Sequence, residues 1–335
     1  MDAGSGLVGA TDATPEYGPV NRDHTTEFAG LPVVAFPLDP DAPLPVAAED
    51  GRSVAWRLDC DVRWRAQFGH TLPELFDLFL RRVDAARVES VVFGVWSTEM
   101  DCGDHPVQVL VAAADRLPSL RRVFIADVGS QDIEISWIAN PPVTPLLESF
   151  PRLEELWVRG GPEDKDVPIL SPIKHESLRT LVLQAGNLPS ESIRSIGQCS
   201  FPELERLEIY FGDPYYGGTG SADDIRSLLT GQGLPKLRYL GLKNAVVQDA
   251  IAAALAGAPI VKQLHTLDLS LGTLGDDGAA ALLAGQSLGH LRKLDLHHHY
   301  LSQEMGDRLR HALPGVEIDL SEQITDADRY VAVAE

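Results

Sequence analysis

The sequence feature that most constrains the fold is a short aliphatic pattern, Leu-x-x-Leu-x-Leu, that recurs along most of the 335-residue chain. Successive copies begin 22 to 33 residues apart. The alternation at the end of each copy predicts a short strand with one buried face, and a unit of this length cannot bury that face alone. The units must therefore stack in parallel. The clear copies begin at Leu120, Leu153, Leu178, Leu204, Leu237, Leu264 and Leu291, and weaker copies begin at Val88 and Leu313.

The segments between the predicted strands carry the signals of helices. Residues 221–229, 248–256 and 276–284 begin with acidic or N-capping residues, and a glycine follows each of them within two residues. Strand–loop–helix units of this kind predict an α/β leucine-rich-repeat solenoid. Its curved parallel sheet would form the concave side and its helices the convex side, with a cap at each end. The stretch 274–282 resembles the ribonuclease-inhibitor type of repeat.

One position departs from that repeat. Three residues after the last strand leucine, such repeats place Asn or Cys in a buried ladder, whereas this chain has Gly186, Ala245, Gly272 and His299. We therefore expect a different loop geometry there, and a buried, hydrogen-bonded His299 if that residue takes the ladder position.

The chain is predicted to divide into four segments. A capping box formed by Thr71 and Glu74 predicts a helix over about 71–86 in the N-terminal part. The first residues are rich in Gly, Pro, Thr and Asp, a composition typical of disorder. The segments are a disordered tail over 1–23, an N-terminal cap of strands plus the helix over 24–87, the solenoid over 88–320 and a C-terminal tail or cap over 321–335.

The chain is strongly acidic, with a formal net charge of −21 and a pI near 4.8. Such a surface repels phosphate, so nucleic acids and anionic membranes are poor partners. The charge favours solubility in general or a basic protein partner.

The cysteines and the N-terminus predict a cytoplasmic protein. Cys60, Cys102 and Cys199 lie far apart and form no Cys-x-x-Cys pair, so we expect free thiols and neither a disulfide framework nor a zinc knuckle. The N-terminal residues have no signal-peptide pattern, and no stretch approaches the ~18 apolar residues of a membrane span.

Several segments together resemble an uncharacterised, mainly actinobacterial leucine-rich-repeat family. The resemblance covers nearly the whole chain from about residue 24 and implies the fold, but it implies no activity or cofactor. Members encoded near radical-SAM and ATP-grasp-like proteins would imply a structural subunit of a bacterial modification-pathway complex. The segments are 24–28, 30–33, 134–138, 143–148, 150–156, 293–301 and 329–333.

Residues that alternate with the strand leucines are predicted to line the concave face. The middle positions, from Phe124 to Asp268, Asp295 and Glu317, would form one column across the strands. Exposed aromatic and arginine side chains there are typical interface anchors. The predicted partner-binding residues are Arg122, Phe124, Trp157, Arg159, Glu208, Tyr210, Tyr239, Lys243, Asp268, Asp295, His297 and His298.

Trp157 and the carboxylates near His297 each have more than one interpretation. Trp157 would be either an exposed anchor or a ring packed beneath a neighbouring loop. The carboxylates near His297 would form a solvated acidic face, a surface for a basic partner, or a metal site with His297, Asp295 and Asp268 as candidate ligands. The spacing matches no known metal motif, so no metal and no cofactor is predicted.

A glycine- and tyrosine-rich insertion over 210–221 is predicted to form a rim loop that binds through Tyr215 and Tyr216. It lacks the Gly-Lys-Ser/Thr of a phosphate-binding loop, and no nucleophile motif occurs.

The leading hypothesis is a non-enzymatic protein-binding module without catalytic residues. The alternatives are an enzyme or metal-binding protein centred on Asp268, Asp295, His297 and His298, and the structural subunit.

Overall fold

The computed structural model describes residues 24–45, 53–60, 70–97, 100, 103–130, 132–326 and 328–334. The predicted disordered tail and Cys102 lie outside these residues. Within them the chain alternates strands with helices.

The strands are β1 (Glu27–Phe28), β2 (Leu31–Ala35), β3 (Ala55–Leu58), β4 (Ser90–Phe93), β5 (Arg122–Ile125), β6 (Ala139–Asn140), β7 (Glu155–Arg159), β8 (Gly161–Pro162), β9 (Thr180–Gln184), β10 (Arg206–Gly212), β11 (Tyr239–Ala245), β12 (Thr266–Asp268), β13 (Lys293–Asp295) and β14 (Glu317–Asp319). The helices are α1 (Leu72–Arg82), α2 (Pro106–Ala112), α3 (Thr144–Ser149), α4 (Ser190–Ile196), α5 (Arg226–Leu229), α6 (Gln248–Leu255), α7 (Asp276–Ala284) and α8 (Gln303–Ala312).

The described strands form one long, mostly parallel sheet in a mixed α/β structure. Its order follows the chain from β1 to β14, with β6 and β8 set aside in a small second pair. The β1–β2 hairpin is antiparallel, and every later neighbour pair of the long sheet is parallel. All nine predicted copies of the aliphatic pattern lead into strands, so the repeat correctly predicts a parallel stack.

One face of the sheet, here called the helix face, carries the repeat leucines into the core. Leu156, Leu181, Leu207, Leu240 and Leu267 pair with their neighbours across successive strands and have at most 1% of their surface exposed. Burial of each such side chain contributes on the order of 1.5–3 kcal/mol. The core therefore runs along the stack instead of forming one central cluster.

Helix α1 begins as predicted and ends earlier. Thr71 and Glu74 form the capping box, and the apolar face of the helix is buried. The chain turns extended at Val83, and a short 3-10 turn (Ala85–Arg87) replaces the predicted last turn. Phe79 packs edge-on against Trp56 of β3, which holds the helix to the first strands.

The other predicted helices differ in how closely their observed bounds agree with the predicted ones. Helices α6 and α7 lie where the capping pattern predicts them. Helix α5 is shorter than the predicted 221–229, because the Asp224 carboxylate accepts hydrogen bonds from the amide and hydroxyl of Ser221. That local turn competes with helical pairing.

The carboxyl end of several strands is a sharp turn towards the helix layer. Asn244, Leu271 and His298 occupy the left-handed region there, with φ between 55° and 65°.

The ladder position, three residues after the last strand leucine, is filled differently from repeat to repeat. His299 is buried, and its ring lies 3.1 Å from the Leu320 carbonyl oxygen. In the β11 repeat Ala245 takes this position, and the side chain of Gln248 donates to the Leu242 carbonyl. The expected buried role of His299 is therefore confirmed.

Candidate functional site

The face opposite the helices, here called the open face, carries the predicted columns of side chains. Pairing across the strands aligns Glu208 with Gly241, Gly241 with Asp268, and Asp268 with Asp295. The column ends at Asp319, which pairs with Asp295. The prediction that Glu317 ends this column is wrong. The pairing of β14 with β13 is shifted by two residues from the predicted register, so Glu317 lies beside Lys293 instead of Asp295.

The first half of the open face is covered by the chain itself. Phe28, from the β1–β2 hairpin, packs against Phe124 at 5.7 Å and against Trp157 at 6.0 Å between ring centroids. Phe124 is 1% exposed and Trp157 is 4% exposed. The interpretation of Trp157 as an exposed anchor is wrong, and packing beneath a neighbouring segment is correct. The covered cluster consists of Phe28, Ala55, Val92, Phe124, Trp157 and Val182.

A buried carboxylate holds the segment before this hairpin in place. Asp127 is fully buried, and it accepts hydrogen bonds from the Thr25 amide at 3.0 Å and the Thr25 hydroxyl at 2.9 Å. Arg57 forms an ion pair with the same carboxylate at 2.5 Å. His24 lies 2.9 Å from the Arg57 guanidinium. The cover is thus fixed by charge as well as by aromatic packing.

The predicted basic residues of this half differ in accessibility. Arg159 is 7% exposed, and its guanidinium donates to the Gln184 side chain at 3.0 Å and to the Val128 carbonyl. Arg122 is half-buried and lies 3.6 Å from Glu89. Arg159 is therefore a structural contact within the fold.

The centre of the open face is a buried network of opposite charges. The Lys243 ammonium lies 2.8 Å from Asp268 and 3.7 Å from Glu208. The Tyr239 hydroxyl donates to Asp268 at 2.5 Å, and Arg206 pairs with Glu208. The two carboxylates each have less than 5% of their surface exposed. These charges satisfy one another and are not presented to a partner.

The electrostatics of this network follow from its pairing. Burial alone would raise the pKa of Asp268, but the charge of Lys243 and the hydrogen bonds from Lys243, Ser270 and Tyr239 together hold that pKa below its usual range. Burial would lower the pKa of Lys243, but Asp268, Glu208 and the two neighbouring tyrosines together raise it well above its ordinary value. Burial raises the pKa of Tyr210, beneath Lys243, to about 12. Both charged partners therefore stay ionised across the neutral range.

The accessible part of the open face lies on its last strands. Asp295, His297 and Asp319 present ligand atoms within 4.8 Å of one another. The His297 ring lies 2.7 Å from Asp295. Burial would lower the pKa of His297, but the hydrogen bond and charge of Asp295 outweigh it and raise that pKa. Asp319 therefore takes the place that the sequence analysis gave to Asp268.

Two features weaken the case for a metal site at this cluster. The Lys293 ammonium lies 3.0 Å from Asp295 and 3.9 Å from Asp319, so a cation of the protein already faces both carboxylates. His298, predicted beside the cluster, is instead 5% exposed and packs against Tyr330, with ring centroids 5.5 Å apart. Its left-handed backbone turns it to the carboxyl edge of the sheet.

The predicted rim loop divides into a buried base and an exposed tip. Tyr210 belongs to β10 and is 2% exposed, whereas Tyr215 is 86% exposed. Tyr216 is half-buried, and its ring lies 5.0 Å from that of Tyr215. In the segment between β5 and β6, Trp137 is 64% exposed. Trp137 is not among the predicted binding residues, because it lies outside the repeated strand positions.

No protein-family model and no curated protein matches the chain. Among solved structures, a protein from Bacteroides fragilis is similar with a TM-score of 0.69 and 28% identity, over 77% of this chain and 72% of that one. A complex of TLR13 with ssRNA13 has a TM-score of 0.38 and 14% identity, over 81% of this chain and 36% of that one. The first likeness supports the architecture, and the second is too weak to carry an argument. Within the described residues, no helix is long and apolar enough to cross a membrane.

Proposed function

We propose that the chain is a leucine-rich-repeat solenoid that binds a protein partner and has no catalytic role. The support for the solenoid is the agreement between the aliphatic repeat and the sequential parallel sheet. In this proposal the open face is the concave side. Its first half holds the N-terminal hairpin, so the partner would contact the carboxyl edge of the sheet and the last strands.

The location of the exposed hydrophobic side chains carries this proposal. Among the described residues, those large hydrophobic side chains that are more than a third exposed all lie in segments at the carboxyl edge. Isolated exposed apolar residues are ordinary, but a set of them on one edge, including tryptophan and tyrosine, is typical of a binding surface. They are Trp137, Val167, Tyr215, Val246 and Tyr330.

The charge of the accessible face favours a basic partner. Glu317 is exposed two residues before Asp319, which pairs with Asp295, and Lys293 is the neighbouring cation. The chain as a whole carries a net charge of −21. Long-range attraction of a basic surface would raise its association rate, and salt would weaken that effect. A cytoplasmic location remains a prediction from the sequence.

Affinity capture from the source cells tests this proposal with three full-length baits. We expect a protein that is captured by the wild type to be lost with Trp137→Ala/Tyr215→Ala. The matched control, Arg310→Ala/His311→Ala, changes two exposed residues of α8 on the helix side and should retain it. Equal capture by all three baits would remove the carboxyl edge from the proposal.

Metal binding is the second candidate, because Asp295, His297 and Asp319 lie close enough to share an ion. A bound divalent cation would have to displace the Lys293 ammonium from both carboxylates. Lys293→Met should then bind Zn²⁺ more tightly than the wild type in calorimetry. Absence of binding by both proteins would reject the candidate.

The structural-subunit hypothesis is the third candidate and predicts a stable complex of fixed stoichiometry. The native mass in lysate distinguishes it, since a chain that migrates at its own 36.3 kDa is not held in such a complex.

A further inference from the structure

The C-terminal segment crosses the carboxyl edge of the sheet as a peptide lying in a groove. Tyr330 contacts Tyr300, in the loop after β13, and three residues later Val333 contacts Asn244 of β11. Two strand spacings of about 4.8 Å each separate these strands. Three residues span at most about 3.3–3.6 Å each, so the segment is nearly extended. Val331 and Val333 are buried, and Ala332 between them is exposed.

The groove recognises this segment mainly through its backbone. The Asn244 carboxamide accepts from the Val333 amide at 2.9 Å and donates to the Val333 carbonyl at 2.5 Å. The Ala332 amide donates to the Leu271 carbonyl at 2.8 Å, and the Ser136 hydroxyl donates to the Ala334 carbonyl at 2.5 Å. Asn244 is fully buried in a left-handed conformation, and both polar atoms of its side chain pair with the backbone of Val333.

Two subsites add side-chain selectivity. Val333 fills an apolar pocket formed by Ile135, Tyr210 and Leu271, which is separate from the main core. Four residues earlier, Arg329 donates to Asp249 at 3.2 Å and to the Thr273 carbonyl at 3.1 Å.

Tyr330, next to Arg329 in the segment, contacts the aromatic side chains of Tyr300 and His298. The Tyr300 hydroxyl donates to the Tyr330 carbonyl at 3.2 Å and accepts from the Tyr330 amide at 2.9 Å. The rings of Tyr330 and His298 also pack together. The bound pattern is therefore an arginine, an aromatic residue and an aliphatic residue in succession, followed two positions later by a second aliphatic residue.

We infer that this groove is a peptide-binding site, occupied in the free protein by the chain's own C-terminus. A partner protein displaces that occupant with an extended segment of the same arginine–aromatic–aliphatic–x–aliphatic pattern. The inference rests on the proposed protein-binding function and names the chemistry of the partner. Backbone recognition favours exchange, because a different sequence with the same four anchoring side chains makes the same hydrogen bonds.

A synthetic fluorescent peptide with the sequence of residues 328–335 tests the inference on the full-length chain. In the wild type, the tethered segment competes at an effective concentration on the order of 1 mM. In Val333→Asp, a carboxylate cannot enter the apolar pocket, and the groove is vacated. We expect the peptide to bind this variant at least tenfold more tightly than the wild type, measured by fluorescence anisotropy.

Two controls separate the groove from other surfaces. Adding Asn244→Asp to the Val333→Asp chain removes the donor to the peptide carbonyl and should weaken binding tenfold or more. A peptide that keeps only the arginine, the tyrosine and the two buried valines should bind like the original. If Val333→Asp fails to fold, as judged by circular dichroism, Arg329→Ala/Tyr330→Ala vacates the groove through the other subsite.

Three outcomes overturn the inference. They are absence of peptide binding by a folded, vacated variant, equal binding when Asn244→Asp is added, and a concentration-dependent wild-type dimer, which would assign the groove to a second copy of the chain. Failure of the peptide experiment leaves the capture experiment on Trp137 and Tyr215 unaffected, because the peptide test uses no cellular partner.

Discussion

The ring of Phe28 meets the ring of Trp157 edge-on, with centroids 6.0 Å apart and an interplanar angle of 88°. This contact joins the N-terminal hairpin to β7, which lies 129 residues later in the chain. Edge-to-face pairs of this kind contribute about 0.5–1.5 kcal/mol beyond the area that they bury. The contact closes half of the open face and decides which surface remains for a partner.

Phe28→Ala should destabilise the protein by about 3 kcal/mol or more, because the ring is fully buried and leaves a cavity over Phe124 and Trp157. Chemical denaturation measures the change in the free energy of unfolding. Hydrogen exchange should show faster exchange in residues 24–35. Tyr215→Ala, which removes an exposed ring, should change stability by no more than about 0.5 kcal/mol. Equal effects of the two substitutions would contradict the packing role of Phe28.

Lys243→Ala should cost about 3–5 kcal/mol, because it leaves the buried carboxylates of Asp268 and Glu208 without their shared cation. Lys243→Met/Asp268→Asn, which removes both charges at similar volume, should be less destabilised than the single variant. Lys236→Ala is the matched surface control, since that ion pair with Glu203 is exposed and contributes about 0–1 kcal/mol. Denaturant titration of the three variants gives the comparison, and a double variant no better than the single one would count against the pairing.

The pKa of His297 should lie above its usual value of 6.5 and fall in Asp295→Asn. Asp295, Asp319 and Asp268 face this ring with Lys243 and Lys293 nearby, and Asp295 supplies the direct contact. A raised pKa in the folded state stabilises the protein below the unfolded pKa, and this contribution is lost as the pH rises through the folded value. An NMR titration of the imidazole protons measures both proteins, and an unchanged His297 pKa in the variant would refute the assignment.

The protein should lose stability as the pH falls below about 6.5, partly through His105. This side chain is fully buried between Trp96 and Asn140, and burial lowers its pKa to about 3. The unfolded state then binds the proton that the folded state excludes, so each pH unit below 6.5 removes about 1.4 kcal/mol.

His105→Asn provides the control for this acid sensitivity. Asparagine keeps an acceptor for the Val107 amide at the start of α2 but does not titrate. Denaturation curves at pH 7 and pH 5 should show a shallower loss for the variant than for the wild type. Parallel losses would place the acid sensitivity at other residues.

Much of the fold was readable from the sequence, because each copy of the repeat specifies its own strand and buries the same leucine positions. The register that brings Asp268, Asp295 and their neighbours into one column follows from that repetition. The site was less predictable. Trp157 and Asp268 occupy the same open-face column, yet only Trp157 lies under the hairpin, and nothing within its own repeat reveals a cover that comes from Phe28.

The sequence by itself determined the stacking of the strands, the buried leucine face and the alternation of side chains onto the open face, since these depend on local periodicity. Only the tertiary structure decided which of those side chains stay accessible. Phe28 closes the aromatic half, Lys243 and Asp268 neutralise each other, and Asn244 holds the C-terminal segment at Val333. Each of these contacts joins residues far apart in the chain or in different repeats. Their pairing depends on distances and burial that exist only after the strands have assembled.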